Sequence, residues 1–180
     1  MFCDKKATTI EDAWPLWMMK RFPASGNACM DAERGGRKLG VWPQARPRLP
    51  VKCVCASCNN GWMSRLESEA KPILESVLDD SMTSLDTSAQ TTVATWSVKT
   101  VMVLEAVDPK RPHFYSEGDR QLMRAALSIP PHTWVWIAKC VDQSNIYTTA
   151  RDLRTSPGSD TVRGFLNTMA FGPLAMQVLS

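Results

Sequence analysis

The sequence predicts an α+β fold in two parts: a breaker-rich module over residues 1–71, and a part over 72–180 in which helices are followed by a small antiparallel sheet. Three observations carry this expectation. Half of the six cysteines fall in CVCASC at 53–58, behind a stretch punctuated by Gly35, Gly36, Pro43, Pro47 and Pro50. From about Ser64 onward apolar residues recur at helical spacing. The last third instead carries short apolar runs separated by polar breaks, the pattern of paired strands.

The N-terminal module has little long apolar periodicity, and a chain of that kind needs a staple, for which bound metal is the usual solution. Cys55 and Cys58 have the Cys-x-x-Cys spacing that lets two thiolates meet one tetrahedral Zn²⁺ around a tight turn. Cys53 stands two residues upstream of Cys55; in extended backbone the two side chains point apart, which makes Cys53 a less natural ligand. Cys3, leading into a turn, is the expected distant partner. A complete site calls for a second Cys-x-x-Cys ending at Cys3, and the chain begins two residues too late to supply it, so the fourth ligand is open between Cys29 and Cys53. The competing readings are buried thiols without metal, and a redox dithiol, which lacks the βαβ surroundings of such pairs here.

The remaining elements follow in chain order. Leu66, Ala70, Ile73, Leu74, Val77 and Leu78 share one helical face, with Pro72 expected to kink or restart the helix. Residues 95–107 suit helix or strand, because their β-branched content competes with a stripe of Trp96, Thr100, Val101 and Leu104; helix is the reading adopted. Ser116 and Asp119 have the capping-box pattern ahead of a helix through RQLMRAAL. TWVWIAKCV at 133–141 and NIYTTA at 145–150, separated by DQS, are expected to pair as a hairpin, and VRGFLNTMAF and PLAMQVL add further strands. Trp134, Trp136 and Met176 read as core residues.

Composition and charge narrow the function. With 44% hydrophobic and 22% charged residues, the 180-residue chain is globular rather than disordered. No apolar run approaches the roughly 20 residues that span a bilayer, so no membrane role is expected. MFCDKKATT at the N-terminus lacks the basic and apolar regions of a secretion signal; a cytoplasmic setting is expected, where clustered thiols stay reduced and serve as ligands. The net charge of +3 is unevenly divided: residues 1–71 hold twelve Lys and Arg against seven Asp and Glu, the remainder nine against eleven. Arg34, Arg37, Lys38, Arg46, Arg48 and Lys52 lie in a Gly- and Pro-rich stretch that reads as an exposed loop. Such a loop matches a phosphate backbone, or it is a solvated surface.

The order of Cys3, TTIEDAWPLWM at 8–18 and VCASCNNGWMSRLE at 54–67 resembles the zinc-containing branch of the HNH (ββα-metal) endonucleases, over about the first 80 residues. In that branch a Cys-x-x-Cys opens the module, a Glu-His-x-x-Pro segment follows, and a second Cys-x-x-Cys-Asn leads into a helix. The resemblance implies a zinc-stabilised ββα-metal module at the N-terminus, structural zinc on the cysteines, a catalytic Mg²⁺ or Mn²⁺, and nucleic acid, DNA in the first place, as partner. Carried over residue by residue, Glu11 stands where an acidic metal ligand stands. Asn59 stands where a His or Asn opens the helix at the catalytic ion, with Asn60 beside it.

Asp12 stands where that family has its general-base histidine, and here the chain departs from the pattern. A carboxylate beside a metal is a weaker base near neutrality than imidazole, and losing a general base commonly costs about 10²–10⁴ in rate. Asp12 either joins Glu11 on the metal or caps the helix ahead of AWPLWMM. Two functions follow. In one, an HNH-like nuclease grips a duplex with its basic loop. In the other, the module keeps the fold, has lost the reaction, and binds nucleic acid or a protein, as a phage or host-defence factor would.

Overall fold

A computed structural model of the chain describes residues 1–22, 28–34, 37–44, 48–81, 84–108, 113–140, 146–154, 156 and 161–180, with 28–34, 37–44, 162 and 163 described by backbone alone. The first strand, β1 (Thr9–Asp12), pairs antiparallel with β4 (Pro50–Val54). A bulge shifts the register between Thr9, opposite Val54, and Glu11, opposite Val51. Bulges of this kind re-aim the side chains beside them.

Between these two strands the chain forms α1 (Leu16–Arg21) and an antiparallel pair, β2 (Ala28–Arg34) with β3 (Arg37–Gln44). The basic stretch expected as a loop is therefore largely strand. Arg34 lies opposite Arg37, and Lys38 opposite Glu33. Gly-Gly between two such runs is a hairpin signal in its own right, outweighed in the reading of the sequence by the charges around it.

After β4 comes the single turn α2 (Ala56–Cys58), a π-helical turn over Asn59–Met63, and then α3 (Ser64–Leu78). Leu66, Ala70, Leu74 and Leu78 are buried along one face of α3, as their spacing predicts. Pro72 neither ends nor restarts the helix. It sits on the exposed side, where its missing N–H faces water, and its carbonyl takes a 2.9 Å hydrogen bond from the Ser76 hydroxyl.

The helix expected over 95–107 is the second half of α4 (Thr87–Leu104), continued by a 3₁₀ turn at Glu105–Val107. Asp86 caps it, its carboxylate accepting from the Ala89 N–H at 2.8 Å. Residues 95–103 are all buried, so α4 runs through the middle of the molecule with α3 and α5 (Glu117–Ala126) against it and the C-terminal sheet on a further side. The capping box at the start of α5 is formed: Ser116 Oγ accepts from the Asp119 N–H, and Asp119 Oδ2 accepts from the Ser116 N–H at 2.9 Å. Behind α4, Arg120 donates to Glu105 at 2.6 Å and to the Met102 and Tyr115 carbonyls, while the Phe114 N–H donates to Glu105. Both charges of this buried pair are thus hydrogen-bonded, the condition for tolerating them there.

The sheet is antiparallel with the order β5-β8-β7-β6, formed by β5 (Trp134–Lys139), β6 (Ile146–Arg154), β7 (Val162–Phe171) and β8 (Leu174–Leu179). The expected hairpin between β5 and β6 is not made; those strands are the two opposite edges. Instead β7 turns directly into β8 through Gly172, at φ +55°, and β8 then offers its other edge to β5. An added Cβ at Gly172 would run into the Phe22 ring, so this tight turn also needs glycine for space. Trp14 packs edge-on against Phe171 at 5.7 Å, and one buried cluster runs from Phe2 to Val178. Among the described residues no helix is long and apolar enough to cross a membrane.

Candidate metal centre and the acidic strand beside it

Cys3, Cys55 and Cys58 converge. Their sulfurs lie within 4.8 Å of one another, with Cys3 Sγ 3.5 Å from Cys55 Sγ and 3.7 Å from Cys58 Sγ. Two features of the sequence bring them together. Phe2, almost fully buried, packs edge-on to Trp62 at 5.1 Å, which pins the N-terminus against the turn that follows the cysteines. On the other side, the Ala56 N–H donates to Thr8 Oγ1, and the Thr8 N–H and Thr9 hydroxyl both donate to the Val54 carbonyl. Thr8 and Thr9 thereby hold the start of the Cys-x-x-Cys turn.

The electrostatics of the three sulfurs differ. The Ser57 hydroxyl, 3.2 Å from Cys55 Sγ, together with the Cys58 backbone N–H, pulls the Cys55 thiol down to about 6. Burial pushes Cys58 up to about 11. A thiolate is therefore already favoured at one ligand, and a bound cation would favour it at the others. Three close sulfurs of this kind can hold a metal ion, and an all-thiolate donor set suits a soft or borderline ion.

Cys53 is not among them. It is buried, with its thiol raised to about 11 first by desolvation and then by the charge of Glu11. Its expected role as a ligand gives way to the strand geometry that turns its side chain away from Cys55. Cys29 lies on β2, outside the described side chains.

The four residues matched to a catalytic ion are distributed differently. Glu11 turns inward, where its Oε1 lies 3.6 Å from the ammonium of Lys99 on α4, and burial raises its pKa while Lys99 opposes the rise. Asp12 turns the other way and receives a two-pronged hydrogen bond from Arg48, at 3.1 Å to Oδ1 and 2.7 Å to Oδ2. It does not cap α1, whose first turn follows Pro15 with no side-chain cap. Asn59 donates its side-chain amide to Thr9 Oγ1 at 3.3 Å and, at 3.5 Å, to the Ile10 carbonyl, while Asn60 is exposed. Among the described residues, the three cysteines are the only group of three or more His, Cys, Asp or Glu close enough together to hold an ion. Glu11 and Asp12 thus face different partners, Lys99 on α4 and Arg48 ahead of β4.

Of the basic residues, Lys52 is exposed and Arg48 is engaged with Asp12. Arg34, Arg37 and Lys38 are placed by backbone register only, and Arg46 lies outside the described residues. Sequence reading missed Lys99 and Glu67. Lys99 is the one charged residue between Ala94 and Leu104, and a lone charge in a helix that is apolar all round must find a partner. Glu67, at the start of α3, adds a negative charge near Glu11. A groove of about 1080 Å³ between α3, α4, the end of α5 and β5 is lined by none of these site residues.

In comparisons with known proteins, no family model, curated protein or solved structure matches this chain.

Proposed function

We propose that this chain is a zinc-stapled, HNH-like module that binds nucleic acid and does not cut it. The observation that carries this reading is that each of the two adjacent carboxylates already has a protein cation of its own, Lys99 for Glu11 and Arg48 for Asp12. A catalytic divalent ion would have to enter beside the Lys99 ammonium, buried to 1% exposure, where like charges repel strongly. Nuclease chemistry needs the opposite arrangement: carboxylates left free to take the ion, and a base with a pKa near neutrality. Here the acids are occupied from inside the protein and the base position holds Asp12.

The HNH-like origin is supported by the run of β1, β4 and α3, two antiparallel strands followed by a helix, with the Cys-x-x-Cys turn at the strand-to-helix junction. Zinc is the reading for the ion on Cys3, Cys55 and Cys58, because it takes thiolates in a closed site and contributes folding energy directly. When bound it would offset most of the thiolate charge and tie the three sulfurs together. Nucleic acid is the proposed partner because the basic excess lies in the same 71 residues as the cysteines.

The test combines metal analysis, duplex DNA binding and plasmid cleavage. The expected result is stoichiometric zinc, duplex binding that weakens steeply with salt, and no cleavage in Mg²⁺ or Mn²⁺. Cleavage that depends on Mn²⁺ and vanishes in Glu11→Ala would replace this reading with the nuclease.

A further inference from the structure

Four of the large apolar side chains most exposed on this molecule share one face of the C-terminal sheet. They are Trp134 and Trp136 on β5, at 52% and 48% exposure, and Tyr147 and Leu153 on β6. The opposite face is core: Val135 and Ile137 of β5 and Met176 and Val178 of β8 belong to or pack on the buried cluster around α4. The expectation that both tryptophans are core residues fails because strand alternation gives the inward positions to their neighbours.

We propose that this open face binds single-stranded nucleic acid, with Trp134, Trp136 and Tyr147 as stacking platforms for bases. The strand registers set out the surface in rows. Trp134 leads across Leu179 and Leu166 to Arg151. Trp136 leads across Gln177 and Thr168 to Thr149, with the Gln177 amide donating to the Thr168 hydroxyl at 3.1 Å. The next row is a shallow floor, in which Ala138, Ala175 and Ala170 lead to Tyr147.

This layout discriminates between occupants. In the three rows the one charge among the described residues is Arg151 and no carboxylate stands there, and beyond the bulge Arg154 lies opposite Val162, so the surface is complementary to an anion. Two of its three central rows are amide, hydroxyl and alanine, and only the row of Leu179 and Leu166 offers the larger apolar groups on which the core of a protein interface relies. Aromatic rings around hydrogen-bonding groups with a nearby cation suit unpaired bases, which present π faces, polar edges and a phosphate together. A duplex hides its base faces in the stack and gives these rings nothing to hold. The inference stands on the sheet alone and does not use the metal module.

The experiment measures binding of a labelled oligothymidylate to the zinc-loaded 180-residue chain by fluorescence anisotropy, alongside a labelled duplex. Trp134→Ala and Trp136→Ala are each expected to weaken oligothymidylate binding by roughly 5- to 150-fold. Trp136→Phe, which keeps a stacking ring, should retain most of the affinity, and Trp136→Ala should leave duplex binding unchanged. Since these side chains are exposed, circular dichroism should show the variants folded. The proposal is overturned if the parent does not bind the oligonucleotide or if the alanine variants bind it as tightly. It is equally overturned if ultracentrifugation shows a self-associating parent and a monomeric Trp136→Ala with oligonucleotide affinity unaltered, which would make the face a self-contact. Failure here with duplex binding intact leaves the function of the module standing, and the reverse result separates them the other way.

Discussion

Lys99 Nζ lies 3.6 Å from Glu11 Oε1, joining the middle of the central helix to the strand that carries the acidic pair. The lysine is buried and Glu11 nearly so, and the ammonium also lies 5.8 Å from the centre of the Trp96 ring. Removing one partner of such a pair strands the other charge. Lys99→Met should therefore cost about 3 kcal/mol in denaturant unfolding, and Lys99→Met combined with Glu11→Leu should recover most of it. Additive losses in the double variant would mean that the two charges do not stabilise each other.

Asp12, as little exposed as Glu11, pairs with the half-exposed Arg48 through two hydrogen bonds. Asp12→Asn removes the carboxylate charge that offsets this guanidinium. Duplex affinity should rise, and the slope of log K against log salt should steepen by about one. An unchanged slope would show that Arg48 does not face the nucleic acid.

The cysteines divide by geometry. Cys3→Ser, Cys55→Ser and Cys58→Ser should each lose the metal and loosen the packing of Phe2 on Trp62. Cys53→Ala should keep full metal stoichiometry and cost only the about 1 kcal/mol of a small buried side chain. Metal lost from Cys53→Ala while Cys3→Ser retains it would reverse the ligand assignment.

Tyr115 is buried and its hydroxyl hydrogen-bonds Ser180 at 2.7 Å; burial raises its pKa from 10 to about 12. The folded state thus favours the neutral phenol. Its contribution to stability is complete below pH 10 and is lost as the pH rises towards 12. Tyr115→Phe should lower stability at pH 8 by about 1 kcal/mol, the worth of one hydrogen bond, and flatten the decline above pH 10. An equally steep alkaline decline in the variant would assign that transition to other groups.

Much of this fold is legible in local sequence because local physics decides it. The α3 stripe of Leu66, Ala70, Leu74 and Leu78, the Ser116–Asp119 box and the Cys55–Cys58 turn each depend on residues a few positions apart. What was not legible depends on distant choices. β5 pairs with β8 rather than with β6, its neighbour in sequence, on the edge that β8 leaves open once the tight turn at Gly172 has laid it along β7. Trp134 and Trp136 are exposed because of which face of β5 meets α4, a choice that strand alternation leaves open. The candidate site divides the same way: the Cys55–Cys58 pair is readable from its spacing and Cys3 from the turn it leads into, whereas the capture of Glu11 by Lys99 spans 88 positions.

The most direct measurement is a calorimetric titration of the zinc-loaded protein with Mn²⁺, run in parallel on Glu11→Gln. Occupied carboxylates predict no Mn²⁺ binding in either protein and no nicking of plasmid DNA in its presence. Stoichiometric Mn²⁺ binding by the parent that Glu11→Gln abolishes, accompanied by plasmid nicking, would contradict the proposal that Lys99 and Arg48 have taken the place of the catalytic ion.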